Sequence, residues 1–212
     1  MSRNKLFTMK NLFLLTSFTI LLFSCQKSET GSPKTSDHNH QTSENKNEMV
    51  ILMDKMMDKM HNPTSTGNND ADFSNIMIEH HIGAVQMSEL LLNKGKDAEL
   101  KTFSQKVIDA QKMEIEMLKK FQNKVEISAD AKEFQQALNQ SMGAMMNKEI
   151  KIYSDIDKDY AAQMIPHHQS AVEMAKAYLK YGKQPELLQL CENIIREQNI
   201  EIAQLQNWLD KK

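Results

Sequence analysis

Two adjacent histidines occur twice in this chain, as His80-His81 and His167-His168, and 16 methionines accompany them among 212 residues. Neutral imidazole is a base, a proton carrier and a metal ligand near neutral pH. A thioether carries no proton, but it is a soft ligand that suits Cu(I) and Ag(I). Methionine also packs as an adaptable core residue, so density and spacing must decide between the two uses. Met49, Met53, Met56, Met57 and Met60 fall at i, i+4, i+7, i+8 and i+11, with His61 next. On a helix that spacing puts them on one face. Met56, Met57, Met60 and His61 therefore form one candidate soft-metal group, with core filling as the competing use of the same stripe.

The histidine pairs belong to an internal duplication. Residues 72–121 and 159–208 match at a fixed offset of 87, without a gap, at 18 of 50 positions. Matched pairs include Met77/Met164, His80/His167, His81/His168, Met87/Met174, Gly95/Gly182, Glu114/Glu201 and Leu118/Leu205. Two long copies pair about a pseudo-two-fold axis rather than stack as a solenoid. Each copy reads as a helical hairpin. Asp72 and Asp159 are the expected N-caps, Gly95 and Gly182 the stops, and a second helix runs over about 98–123 in the first copy. Pro166 lies inside the second copy's first helix, where a kink is expected. A shorter helix precedes each hairpin, the second of them within residues 130–153, which hold Met142, Met145 and Met146. The fold class is all-α: a four-helix bundle built from two tandem hairpins, with six helices in total.

Helical phase assigns the candidate centre. His80 shares an apolar stripe with Phe73, Met77, Ala84 and Met87, and Glu114 shares one with Val107, Ala110 and Phe121. Ionisable groups at core positions need partners. His80 is thus expected to meet Glu114, and His167 to meet Glu201, with the pseudo-two-fold bringing the pairs together. His81 and His168 lie about 100° round the helix, on its flank. The candidate ligands of a bundle-core metal are His80, His167, Glu114 and Glu201, with His81, His168, Met77, Met87, Met164 and Met174 nearby. The competing use is a buried His–Glu hydrogen bond copied by duplication. The Glu-x-x-His signature of di-iron bundles is absent, which argues against oxygen activation.

The first 25 residues read as a secretory leader. Arg3, Lys5 and Lys10 precede an apolar run from Leu12 to Phe23, and translation could start at Met1 or Met9. Leu22-Phe23-Ser24-Cys25 is similar to a bacterial lipobox, so Cys25 is the expected lipidation site and the chain is anchored to a membrane rather than spanning it. Residues 26–46 are polar and read as a disordered tether holding His38 and His40. The folded region is then 47–212, with repeat one at about 47–123 and repeat two at about 130–210. The remaining thiol, Cys191, aligns with Ser104 and makes no disulfide framework. A net charge of −2 gives no electrostatic case for nucleic acid.

The string Met164-Ile165-Pro166-His167-His168-Gln169-Ser170-Ala171-Val172-Glu173-Met174-Ala175 resembles the signature of the domain-of-unknown-function 305 family. Thr66 to Phe73 leading to Met77-Ile78-Glu79-His80-His81 resembles it as well, with Glu79 standing where the family has proline. The resemblance implies a ferritin-like bundle, often exported and linked to copper handling. The leading expectation is a lipid-anchored envelope protein that binds a copper ion through His and Met side chains, a buffer or chaperone rather than an enzyme, with homo-oligomers compatible. The alternatives are a metal-dependent redox enzyme of ferritin-like type and a structural or interaction module without metal.

Overall fold

A computed structural model describes residues 47–61, 64–146 and 150–212, all within one unit spanning residues 43–212. The leader, Cys25 and the tether lie outside the described residues. Among the described residues there are six α-helices, one 3-10 turn and no strand. They are α1 (Glu48–His61), α2 (Asn69–Lys94), α3 (Ala98–Leu118), α4 (Ala131–Ser141) followed by the 3-10 turn Met142–Ala144, α5 (Ile156–Tyr181) and α6 (Pro185–Asp210). No described helix is long and apolar enough to cross a membrane.

The two hairpins, α2–α3 and α5–α6, make the four-helix core expected from the repeat, and α2 packs on α5. Three contacts fix the direction of that packing. Phe73, near the start of α2, meets Tyr178, near the end of α5, at 4.5 Å between ring centroids. His80 meets His167 at mid-helix. Ser88 Oγ lies 2.9 Å from Tyr160 Oη, near the start of α5. The helices run antiparallel and cross near their middles. Helix α1 lies against α2 and α5, and α4 lies against α5 and α2, as the pseudo-two-fold requires.

The helix ends show which residues set the hairpins. Asn68 Oδ1 accepts the Ala71 N–H, and Asp155 Oδ1 accepts the Lys158 N–H. The helices therefore begin three residues before the expected N-caps. Asp72 and Asp159 instead sit in the first turn and reach back, taking the Thr66 N–H at 2.7 Å and the Tyr153 N–H at 2.9 Å. They tie the incoming chain to the helix rather than cap it. Gly95 and Gly182 do stop their helices, but in extended conformation, with φ of −67° and −78°. Space, not left-handed backbone, selects glycine there. A Cβ on Gly95 would stand 2.7 Å from the Leu91 carbonyl oxygen, and one on Gly182 would stand 2.3 Å from the Tyr178 ring. Helix α3 ends at Leu118, short of the expected 123, and Phe121 packs from the turn beyond it. Helix α5 continues through Pro166.

Methionine fills most of the α1 interface. Met49, Met53, Met56 and Met60 are buried, Met57 is half-buried and His61 is exposed. Helix α1 seats in a notch at Gly83, where a Cβ would approach Met56 Sδ to 2.3 Å and its Cβ to 3.0 Å. The second copy has buried Ser170 at this position. Glu79, at the place of Pro166, pairs with Lys59 of α1 at 3.1 Å. The departures of the first copy from the second thus face α1. Helix α4 holds its place with Phe134 and Leu138, both fully buried, and Phe134 meets Tyr178 and Tyr181. Its methionines lie in the turn after it.

Gly83→Ala is expected to destabilise the fold. Overpacking costs about 1–3 kcal/mol, against a helix-propensity gain of about 1 kcal/mol. The melting temperature should fall by a few degrees, whereas Gly143→Ala, whose Cβ would meet nothing within 4 Å, should not lower it.

Candidate functional site

The four paired histidines are fully buried, and they divide into two kinds. His80 Nε2–H donates to the carbonyl oxygen of His167 at 3.1 Å, and His167 Nε2–H donates to that of His80 at 3.1 Å. Their rings stack with centroids 3.7 Å apart. This reciprocal link sits on the pseudo-two-fold, at the crossing of α2 and α5. The second kind pairs with carboxylate inside each hairpin: His81 Nε2 lies 2.8 Å from Glu114 Oε2, and His168 Nε2 lies 3.1 Å from Glu201 Oε2. Both glutamates keep part of their side chains in solvent.

This pairing reverses the expected assignment. His80 and His167 do not meet Glu114 and Glu201; His81 and His168 do. The reason is geometric. The stripe through Phe73, Met77, His80, Ala84 and Met87 faces α5, while α3 covers the neighbouring sector of α2. Helix α2 buries 16 of its 26 residues, so the flank position is as buried as the stripe.

Because carbonyl oxygens only accept, the Nε2 atoms of His80 and His167 carry the protons and the Nδ1 atoms are bare. Those Nδ1 atoms are buried and have no hydrogen-bond partner in the structure, and the same holds for Nδ1 of His81 and His168. Bare imidazole nitrogen is the form a metal requires. Yet among the described residues no three His, Cys, Asp or Glu side chains converge closely enough to hold a metal ion. His80, His167, Glu114 and Glu201 therefore do not form one shell. Met77, Met87, Met164 and Met174 are all fully buried in the surrounding core. Cys191 is buried; burial pushes its thiol well above the usual range, and the charges of Glu114 and Glu192 add to the shift.

A second region gathers soft ligands at the surface. A cavity of about 350 Å³ is lined by Met60 and His61 at the end of α1, by Met142 in the 3-10 turn, and by Met146 just after it. Met56 and Met57, expected with this group, are not among its lining residues. In the sequence Met142 and Met146 stand only as part of the expected helix before the second hairpin. The signal that could have found them is a second cluster of methionine outside the duplicated segment.

Burial holds the His80 and His167 imidazoles well below the ordinary histidine value, and the neighbouring histidines lower them further. An unfolded imidazole gains a proton as pH falls through 6.5, while these two stay neutral in the fold. The unfolded state then binds more protons, so stability is lost as pH falls below that value. Two such groups contribute at most about 2.7 kcal/mol per pH unit. Urea midpoints measured from pH 7.5 to 5.5 should fall steeply for the native sequence and much less for the double variant His80→Gln/His167→Gln. An equal slope in both would assign the pH dependence to other groups.

The three-dimensional fold is similar to CopM in its Ag-bound form obtained by soaking, with TM-score 0.52 and 30% identity, over 67% of this chain and 95% of that one. The Cu(I)-bound form of CopM gives TM-score 0.52 and 31% identity, over 67% and 96%. Its Cu(II)-bound form gives TM-score 0.52 and 29% identity over the same shares. A 56-residue segment is 39% identical to uncharacterized protein L153 of Acanthamoeba polyphaga mimivirus; it takes in 26% of this chain and 37% of that protein. The family model for the domain of unknown function DUF305 matches residues 17–122 and again, overlapping, 70–209, the second match taking in both copies. The duplicated His-His bundle thus belongs to the DUF305 family.

Proposed function

We propose that this chain binds Cu(I), and Ag(I) by the same chemistry, in the bacterial envelope, and that it sequesters or hands over the ion without turnover. The observation that carries the reading is the likeness to CopM, solved with Cu(I), Cu(II) and Ag, over nearly the whole of that protein. Composition supports it. Sixteen methionines and seven histidines stand against two cysteines, and thioether with imidazole favours soft monovalent ions. The leader and the lipobox-like Cys25 favour a membrane-anchored site outside the cytoplasm, where thioethers survive oxidation better than thiolates.

For the core histidines a purely structural role is favoured by the reciprocal bonds of His80 and His167 to each other's carbonyl. Each ring already anchors the partner helix. In this reading metal binds elsewhere on the chain, and the core pairs only fix the crossing of α2 and α5.

The mature protein, purified and kept reduced, should take Cu(I) from a colorimetric chelator with sub-micromolar affinity and show no oxidase activity. Failure to compete for Cu(I) would sink the proposal; oxidase turnover with bound copper would favour an enzyme. The variant His80→Gln/His167→Gln separates the roles of the core. Unchanged copper content with lower stability makes those histidines structural, and loss of copper makes them ligands.

A further inference from the structure

At one end of the bundle the start of α2 meets the loop before α4, and a cavity of about 360 Å³ opens between them. Asn69, Asp70, Glu126, Asp130 and Lys183 are among its lining residues, so three carboxylates stand against one ammonium. Asn69 is only 3% exposed, and its side chain is held in one orientation. Its Nδ2 donates to Asp130 Oδ1 at 2.8 Å and to the Tyr181 carbonyl oxygen at 3.2 Å. Both partners only accept, which fixes the amide with its oxygen turned away from them. That Oδ1 is buried without a hydrogen-bond partner. A bare buried acceptor is costly and rare in folded proteins. Asp130 stands at the N-cap place of α4, where aspartate ordinarily caps, yet it makes no capping bond and turns to Asn69 instead.

The pseudo-two-fold supplies a comparison. Asp157, at the place equivalent to Asp70, accepts the N–H groups of Lys96 and Asp97 from the facing turn. Asp70 accepts the Tyr178 hydroxyl instead. The carboxylate that closes a turn in one copy lines a cavity in the other. Beside that cavity two aliphatic side chains stand in water, Val125 at 87% and Ile127 at 69% exposure. Their backbone is pinned. Ser128 N–H donates to the Gly67 carbonyl at 2.8 Å, Asn69 N–H to Ser128 Oγ at 3.0 Å, and Asn68 Nδ2 to the Glu126 carbonyl at 2.5 Å. β-Branched side chains on a pinned loop have little freedom to lose on being covered. The chain enters the fold at the opposite end, where Glu48 pairs with Lys94, about 39 Å away along the 26 residues of α2. An anchor ahead of residue 47 therefore turns the Val125 end towards soluble partners.

We propose that this end of the bundle is a docking site for a second protein, which inserts an arginine side chain into the cavity and lays flanking aliphatic residues on Val125 and Ile127. The carboxylates of Asp70 and Asp130 and the bare Oδ1 of Asn69 are the acceptors. A guanidinium, with five donors in a fixed fork, suits several separate acceptors better than an ammonium. An arginine in a pocket with apolar contacts around it is a common anchor of protein interfaces. The site is distinct from the histidine core, and its occupation needs no copper.

The test titrates the whole mature chain, labelled with ¹⁵N, with the peptide acetyl-Leu-Arg-Leu-amide and with its neutral isostere, in which citrulline replaces arginine. The arginine peptide should move the side-chain amide resonances of Asn69 and the backbone amides of Ile127 and Ser128 at about millimolar concentration. The citrulline peptide should bind about tenfold more weakly or worse. Asp130→Asn keeps an oxygen for Asn69 but removes the charge, and should weaken the arginine peptide by about tenfold. Val125→Ser/Ile127→Ser, at exposed positions, should weaken it too while the melting temperature stays native. No shift with either peptide, equal binding of the two, or native affinity in Asp130→Asn overturns the proposal. So does a response confined to phosphatidylglycerol vesicles, which makes this end a lipid contact, or to calcium chloride, which makes the cavity a metal-ion site.

Discussion

Two histidine side chains exchange hydrogen bonds with each other's backbone at the centre of this bundle, and the architecture depends on that exchange. Each ring reaches across the α2–α5 contact, and each carbonyl accepts while it belongs to a helix. A slide of one helix along the other would break both bonds and leave buried donors without partners, at about 1–3 kcal/mol each. Apolar packing alone tolerates such slippage, because methionine and leucine accept many neighbours. The histidines thus supply registry to a core that methionine keeps plastic. With the α2–α5 register fixed, α3 and α6 follow as hairpin partners, and their glutamates meet His81 and His168.

The pseudo-two-fold is tight at that centre and loosens outward. His80/His167 and Glu114/Glu201 have nearly equivalent surroundings. At the α1 interface the copies diverge, since Gly83 opens a notch for Met56 where the other copy has Ser170, and Glu79 finds Lys59 where the other copy has proline. The helices before the hairpins then differ in kind: α1 is a methionine face, and α4 is held by Phe134 and Leu138. Symmetry serves the interior, and asymmetry is concentrated where side chains of both extra segments reach one cavity.

Much of this was legible in the sequence. Gapless self-similarity gave the two hairpins, and three-to-four spacing gave the helices. What it could not assign was which neighbour a buried stripe faces. His80 and His81 are both interior, and only the arrangement of α3 and α5 around α2 decides that the first meets a histidine and the second a glutamate. The N-caps were misplaced for a local reason. Asn68 and Asp155 outcompete Asp72 and Asp159, whose carboxylates are drawn to the preceding loop. The importance of Gly83 was invisible because it depends on a methionine 27 positions earlier in the chain. The shared cavity depends on contacts between segments some 80 residues apart.

The hairpin turns are completed across the two copies. Asp157, in the first turn of α5, accepts the backbone N–H groups of Lys96 and Asp97 at the α2–α3 turn, at 3.0–3.3 Å. Asn69 and Asp70, at the start of α2, bond to the Tyr181 carbonyl and the Tyr178 hydroxyl at the far end of α5. Each copy thus completes the turn region of the other. A polypeptide with a single copy would meet those needs only by self-association, and its persistence would then vary with dilution. Covalent fusion replaces that encounter by an intramolecular one at fixed local concentration. A chain that carries both copies keeps its fold at any dilution, without having to find a mate.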